Sequence, residues 1–265
     1  LSRALILADL HWDHWRQASV DPFAGLGLDY WDSLDLVILA GDISNKAFIR
    51  WPQVFAWFAE RMDLAKLHVF PGNHDPYGGK IDREDKLITA CEQAGVGYAQ
   101  RKVIQLGNHR FLCCTLWTDM MLGGDRDINM TKAERVMNDY RLIRVASDGY
   151  RRLQPRDTVA LHRTDLAWLE AELATPFCGE TVVVTHHAPI PPKPSQDMDA
   201  AYGSDLTALI ARYQPKVWLF GHTHRAQQRV IGRTEIRNIS LGYPDEWTGQ
   251  NAGLTPLLKS LVLTL

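Results

Sequence analysis

Asn73, His74 and Asp75 put an amide, an imidazole and a carboxylate on three consecutive residues behind Pro71-Gly72. Four other stretches carry groups of the same kind: Asp9-Leu10-His11, Gly41-Asp42, Thr185-His186-His187 and Gly221-His222-Thr223-His224. Imidazole, carboxylate and amide donors without a thiolate suit Mn, Fe, Zn, Ni or Co, and are too rich in nitrogen for a simple Mg or Ca site. Asp9, His11, Asp42, Asn73, His186, His222 and His224 are too many ligands for one ion. Two ions sharing a carboxylate fit the set better. Two carboxylates against two divalent ions leave a charge of about +2 before any solvent ligand. Such a centre holds a phosphoryl oxygen, acidifies a bound water and steadies the charge that develops on attack. A leaving alkoxide then needs a proton, and His74, followed by Asp75, is placed to give it.

Each cluster sits at the end of a short apolar run, the pattern of a strand buried on both faces. Leu5 to Ala8 delivers Asp9 and His11, Leu34 to Ala40 delivers Asp42, and Leu67 to Phe70 delivers Asn73. Thr181 to Val184 leads to His186 and a proline-rich loop over Pro189 to Pro194, and Val217 to Phe220 leads to His222 and His224. Open α/β sheets bind ligands beyond the carboxyl ends of their strands, so these ends predict one site. Between them, Ala47 to Met62 and Asp82 to Ala94 read as helices, the second closed by Gly95. Gln100 to Leu106 and Arg110 to Leu116 form a hairpin around Gly107-Asn108-His109. Residues 117–165 read as an insertion near the site, containing an amphipathic Thr131 to Ile143 and a basic stretch. Thr164 is expected to cap a helix to about Leu173, and Ser204 one over Asp205 to Tyr213. Arg229 to Ile231, Glu235 to Ile239 and Leu257 to Leu265 read as closing strands. No repeat or linker divides the 265 residues, which predicts one α/β domain over 1–265.

A net charge of -2 gives no general attraction for long nucleic acid or an anionic membrane. No apolar stretch is long enough to span a bilayer. Cys91, Cys113, Cys114 and Cys178 lack metal-type spacing and read as buried free thiols of a cytoplasmic protein. The chain starts at Leu1, which leaves a removed leader open.

In order, Asp9-x-His11, Gly41-Asp42, Gly72-Asn73-His74-Asp75, His186 and Gly221-His222-x-His224 resemble the full motif set of the calcineurin-like metallophosphoesterases. The resemblance implies a two-sheet β-sandwich flanked by helices, in four layers α/β/β/α. It also implies roles: Asp9, His11, Asp42 and His224 on one metal, and Asp42, Asn73, His186 and His222 on the other, with Asp42 bridging. A metal-bridging hydroxide would attack phosphorus, His74 would protonate the leaving group, and Asp75 would orient His74. His186 is preferred to His187 because it comes first after the strand. No motif position is substituted, which speaks against a non-catalytic scaffold. The expected partner is a small phosphorylated substrate, with phosphodiesters such as cyclic nucleotides favoured over monoesters or phosphoprotein.

Alone, each of these histidines would more readily be a satisfied structural residue. His14, His68, His109 and His162 fall outside the pattern and read as surface or packing residues, with His14 nearest the site. The tryptophans read as core, except Trp12, next to His11, which is expected near substrate. Arg141 to Arg156 read as a solvated face with scattered ion pairs. The cleft walls are expected from Trp12 to Gly27, Tyr77 to Lys80 and the insertion.

Overall fold

The computed structural model describes residues 1–193, 196–247 and 251–265, the last without the side chains of 251–253; Pro194 of the proline-rich loop lies outside the described residues. In chain order the strands are β1 (Arg3–Leu7), β2 (Leu36–Ala40), β3 (Leu67–Phe70), β4 (Gly97–Tyr98), β5 (Lys102–Leu106), β6 (His109–Cys114), β7 (Arg144–Val145), β8 (Arg151–Arg152), β9 (Glu180–Thr185), β10 (Val217–Phe220), β11 (Gln228–Ile231), β12 (Thr234–Asn238) and β13 (Val262–Thr264). One sheet runs β13-β1-β2-β3-β4 and the other β11-β12-β10-β9-β6-β5. Within each, the inner strands are parallel, and β13, β11 and β5 are antiparallel edges.

The two-residue period of the second sheet explains the layering. Phe111, Cys113, Val182, Val184, Val217 and Leu219 join the core of the first sheet, whose other face is packed by Trp51, Val54, Phe55, Phe58, Leu87 and Cys91. Their alternates Leu112, Cys114, Val183, Trp218, Phe220 and Ile236 pack instead on Leu169, Leu173 and Ile210. The result is two mixed sheets face to face with helices outside, the expected α/β/β/α arrangement. Burying a side chain such as Trp51 or Phe58 stabilises the fold by roughly 1.5–3 kcal/mol. A third cluster, with Trp117, Met120, Tyr140, Ile143 and Leu153, gives the stretch 117–165 a small core of its own against Tyr77, Ala200 and Ala201.

The expected helices at Ala47 and Asp82 are Ala47–Ala59 and Glu84–Ala94, the latter ended by Gly95 at φ +72°. Several sequence expectations are corrected. The helix expected from Thr131 starts earlier, at Arg126–Val136, because Asp125 accepts from the backbone N–H of Asp127 and Ile128. Thr164 is no cap: it lies inside a 20-residue helix, Pro155–Ala174, which begins with proline and a Gln154/Asp157 capping box, so the insertion's expected end at 165 falls within a continuous helix. Ser204 is not the cap of Thr207–Tyr213; its Oγ accepts from Asp119 N, and Asp205 accepts from Thr207 N. Leu257 to Leu265 is not one strand, because Asn251–Ser260 is helical and only Val262–Thr264 pairs with β1. Cys178 is exposed, whereas Cys91, Cys113 and Cys114 are buried free thiols. No helix among the described residues is long and apolar enough to cross a membrane.

Candidate metal centre

The seven candidate ligands converge where the parallel strands of both sheets end. Their loops are tied together by main chain: Asp9 N donates to Gly41 O, His11 N to Asp42 O, Gly221 N to His186 O and Ala8 N to Ile239 O. Five of them occupy the left-handed region, with φ of 56° for Asp9, 42° for His11, 52° for Asp42, 66° for His222 and 49° for His224. Asp and His tolerate this better than most residues, yet each such position costs on the order of 1 kcal/mol. The preceding glycines leave the necessary room. A Cβ on Gly72 would lie 2.2 Å from Asp42 Oδ1, and one on Gly41, at φ +84°, 2.4 Å from His186 Nδ1.

Ligand atoms of Asp9, His11 and His224 lie within 4.8 Å of one another, as do those of Asp42, His186 and His222, and those of His11, Asp42 and His74. His224 Nε2 is 3.2 Å from both Asp9 Oδ1 and His11 Nε2. His186 Nε2 is 3.3 Å from Asp42 Oδ1 and 3.1 Å from Asn73 Oδ1. Asp42 Oδ2 stands 3.8 Å from His11 Nε2. The carboxylates are held from behind, since His222 N donates to Asp9 Oδ2 at 2.9 Å and His74 N to Asp42 Oδ1 at 2.8 Å.

Two imidazoles have a settled tautomer when neutral. His186 Nδ1 faces the Ala40 carbonyl and His224 Nδ1 faces Glu246 Oε1, both at 3.0 Å, and both partners only accept. The Nε2 lone pairs would then point at carboxylate and amide oxygens, an arrangement that only a cation between them relieves. Without a metal the cation is a proton. Burial opposes it, but the Asp42 carboxylate raises His186 to about 9, and Asp9 and Glu246 raise His224 to about 10. Asp9 and Asp42 stay well below the usual carboxylate range, against their burial, through His224 and His186 respectively. Burial pushes His11 and His222 down to about 3, so both are neutral donors. His222 Nε2 is buried without a hydrogen bond among the described residues. The donor set therefore fits bound cations.

His74 adjoins this cluster, with Nε2 3.9 Å from Asp42 Oδ2. The expectation that Asp75 orients His74 is corrected. The buried Asp75 carboxylate accepts from Gly72 N, Trp51 Nε1, Ser44 N and Ile43 N, fastening together the loops that carry Asp42 and Asn73. Asn45 holds His74 instead, its Oδ1 lying 3.2 Å from Nδ1. The Asn45 amide is turned by Asp13, which accepts from Nδ2 at 3.0 Å and is itself fixed by Ser44 and Arg50.

A cleft of about 380 Å³ opens over the cluster, lined by Asp42, Asn73, His74, His222, His224, Tyr77, Tyr202, Tyr243 and Val136 to Asn138. The tyrosines pack on imidazoles: Tyr77 stacks on His74 at 4.3 Å, Tyr243 on His11 at 4.2 Å, and Tyr202 tilts over His222 at 5.0 Å. Trp12 is not in this wall. It packs on Trp57 in the first core and, with Trp15, Arg16 and Ser19 to Pro22, lines a groove between the helices Trp12–Gln17 and Ala47–Ala59, whereas none of residues 12–27 lines the cleft. His14 sits at the rim, 4.8 Å from the Tyr243 ring, and His187 packs behind His222 and against Trp117. His162 is buried on the Leu116 carbonyl. Sequence reasoning missed Asn45, whose only signal is a polar side chain three residues after Asp42. Glu246, Tyr243 and Asp139 gave none, because nothing local marks a residue that reaches a site through tertiary packing.

The model of the family described as calcineurin-like phosphoesterase matches residues 2–226. An uncharacterized protein of Acanthamoeba polyphaga mimivirus is 24% identical over 238 residues, covering 81% of each chain. Phosphopantetheinyl hydrolase from Mycobacterium tuberculosis superposes with a TM-score of 0.70 at 20% identity, over 94% of this chain and 92% of that one.

Proposed function

The chain belongs to the calcineurin-like phosphoesterase family and is a metal-dependent phosphoric ester hydrolase, and we propose that it works with two ions and prefers phosphodiesters. Asp9, His11, Asp42 and His224 would hold one ion, and Asp42, Asn73, His186 and His222 the other. When bound, the ions supply positive charge for the phosphoryl oxygens and acidify the attacking water.

The chain's own groups supply the rest. The Asn45 oxygen only accepts, so Nδ1 of His74 keeps its proton, and the imidazolium has its Nε2 proton to give to the leaving alkoxide. Asp75 keeps the two ligand loops in register.

The diester reading rests on the cleft wall. Its described lining holds three tyrosines, Val136 and Met137, and no lysine or arginine. A dianionic monoester would gain from further cations there, whereas the second ester group of a monoanionic diester finds an aromatic and apolar surface. The test is hydrolysis of bis-p-nitrophenyl phosphate and p-nitrophenyl phosphate side by side, after chelation and after adding back Mn, Zn, Ni or Fe. Faster cleavage of the diester supports the reading, and faster cleavage of the monoester refutes it. A phosphopantetheinyl ester belongs in the same panel, because the mycobacterial neighbour is named for hydrolysing that group.

A further inference from the structure

The insertion reaches the ligand cluster through one buried carboxylate. Asp139, 3% exposed, follows directly on Val136 to Asn138, which wall the cleft. Its Oδ1 accepts from Asn73 Nδ2 at 2.8 Å and from the Tyr77 hydroxyl at 2.9 Å. The other end of the Asn73 amide, Oδ1, faces His186 Nε2 at 3.1 Å. The Tyr77 ring, fixed through the same carboxylate, stacks on His74.

Resting on the two-ion reading above, we propose that Asp139 is a positioning residue that turns the Asn73 amide so that its oxygen faces the ion shared with Asp42, His186 and His222. The two ends of an amide have nearly the same shape, so packing alone discriminates poorly between them. Asp139 Oδ1 accepts from both Asn73 and Tyr77, which sets the amino end of Asn73 towards Asp139 and the oxygen towards the ligand cluster. An asparagine at 139 removes that discrimination with little change in volume, since its amide donates as readily as it accepts. Partners behind a ligand typically matter by about 10–100-fold in metal affinity.

The test is metal-binding isotherms of the full chain with Mn alone, by equilibrium dialysis, with paramagnetic resonance reporting coupling between the ions. In Asp139→Asn one of the two binding events is expected to weaken about 10–100-fold with loss of coupling, while the other stays unchanged. In an Asn73→Ala background, Asp139→Asn is expected to change nothing further, an outcome that a merely structural role would not give. Tyr77→Phe, which loses the 3.5 Å contact of Asn73 Nδ2 with the hydroxyl but keeps the 2.8 Å bond from Asn73 to Asp139, is expected to bind both ions. Wild-type affinities for both ions in Asp139→Asn, or equal weakening of both, overturn the assignment. A wild-type chain that binds one ion overturns the two-ion reading, and this role with it. Should Asp139→Asn not fold, Asp139→Glu decides: it keeps an acceptor only, and it must retain the second ion.

Discussion

His74 Nδ1 lies 3.2 Å from Asn45 Oδ1, so an amide rather than a carboxylate holds the ring beside the ligand cluster. The amide oxygen only accepts, so it fixes the ring with a proton on Nδ1 and leaves Nε2, 3.9 Å from Asp42 Oδ2, as the nitrogen that serves the leaving group. His74→Asn is expected to lower kcat by about 10²–10⁴-fold on a diester with an alkyl leaving group, and much less on a p-nitrophenyl ester, whose leaving group needs no proton. Metal content should not change. Equal losses on both esters would remove the general-acid role.

Asp75 makes a different kind of contribution. Asp75→Asn puts an amino group where two or more buried N–H donors converge, and is expected to destabilise the fold by about 2–4 kcal/mol. Metal binding should suffer too, because both ligand loops hang on this residue. Denaturant unfolding of the metal-free variant measures it, and unchanged stability would contradict the reading.

Gly72→Ala is expected to fold and to bind metal poorly, since its Cβ would fall 2.2 Å from Asp42 Oδ1. Circular dichroism with metal analysis separates the two effects. Full metal occupancy would show that the loop yields without moving Asp42.

Protons and metals compete for the same lone pairs. In the metal-free fold His224, raised to about 10, and His186, raised to about 9, each hold a proton at neutral pH. Each ion must displace one, so each affinity should rise by about tenfold per pH unit, levelling near pH 9 for the ion at His186 and near pH 10 for that at His224. Metal-free stability has the opposite trend. A folded-state pKa above the ordinary 6.5 stabilises fully below that value, and the contribution is lost as pH rises through 9 to 10. Thermal unfolding from pH 6 to 10, with and without metal, should therefore diverge. Parallel curves would contradict the displacement.

Much of this was legible in the sequence, for reasons that particular residues show. Strands such as Leu36–Ala40 are continuous apolar runs, and the motif groups follow them directly, so architecture and ligand candidates could both be read locally. Helix starts were misread where a side-chain cap competed with periodicity, as at Asp125 and Gln154. Asp139 and Glu246 were illegible because their partners, Asn73 and His224, lie 66 and 22 residues away. Trp12 misled for a related reason: adjacency to His11 in sequence says nothing about which side of the strand end its ring takes.

The two-ion account is tested most directly by adding metal in steps to the chelated protein while following hydrolysis of bis-p-nitrophenyl phosphate on the same samples. Activity is expected to stay low through the first equivalent of Mn and to rise with the second. Full activity at one equivalent, or none after two are bound, would contradict the account.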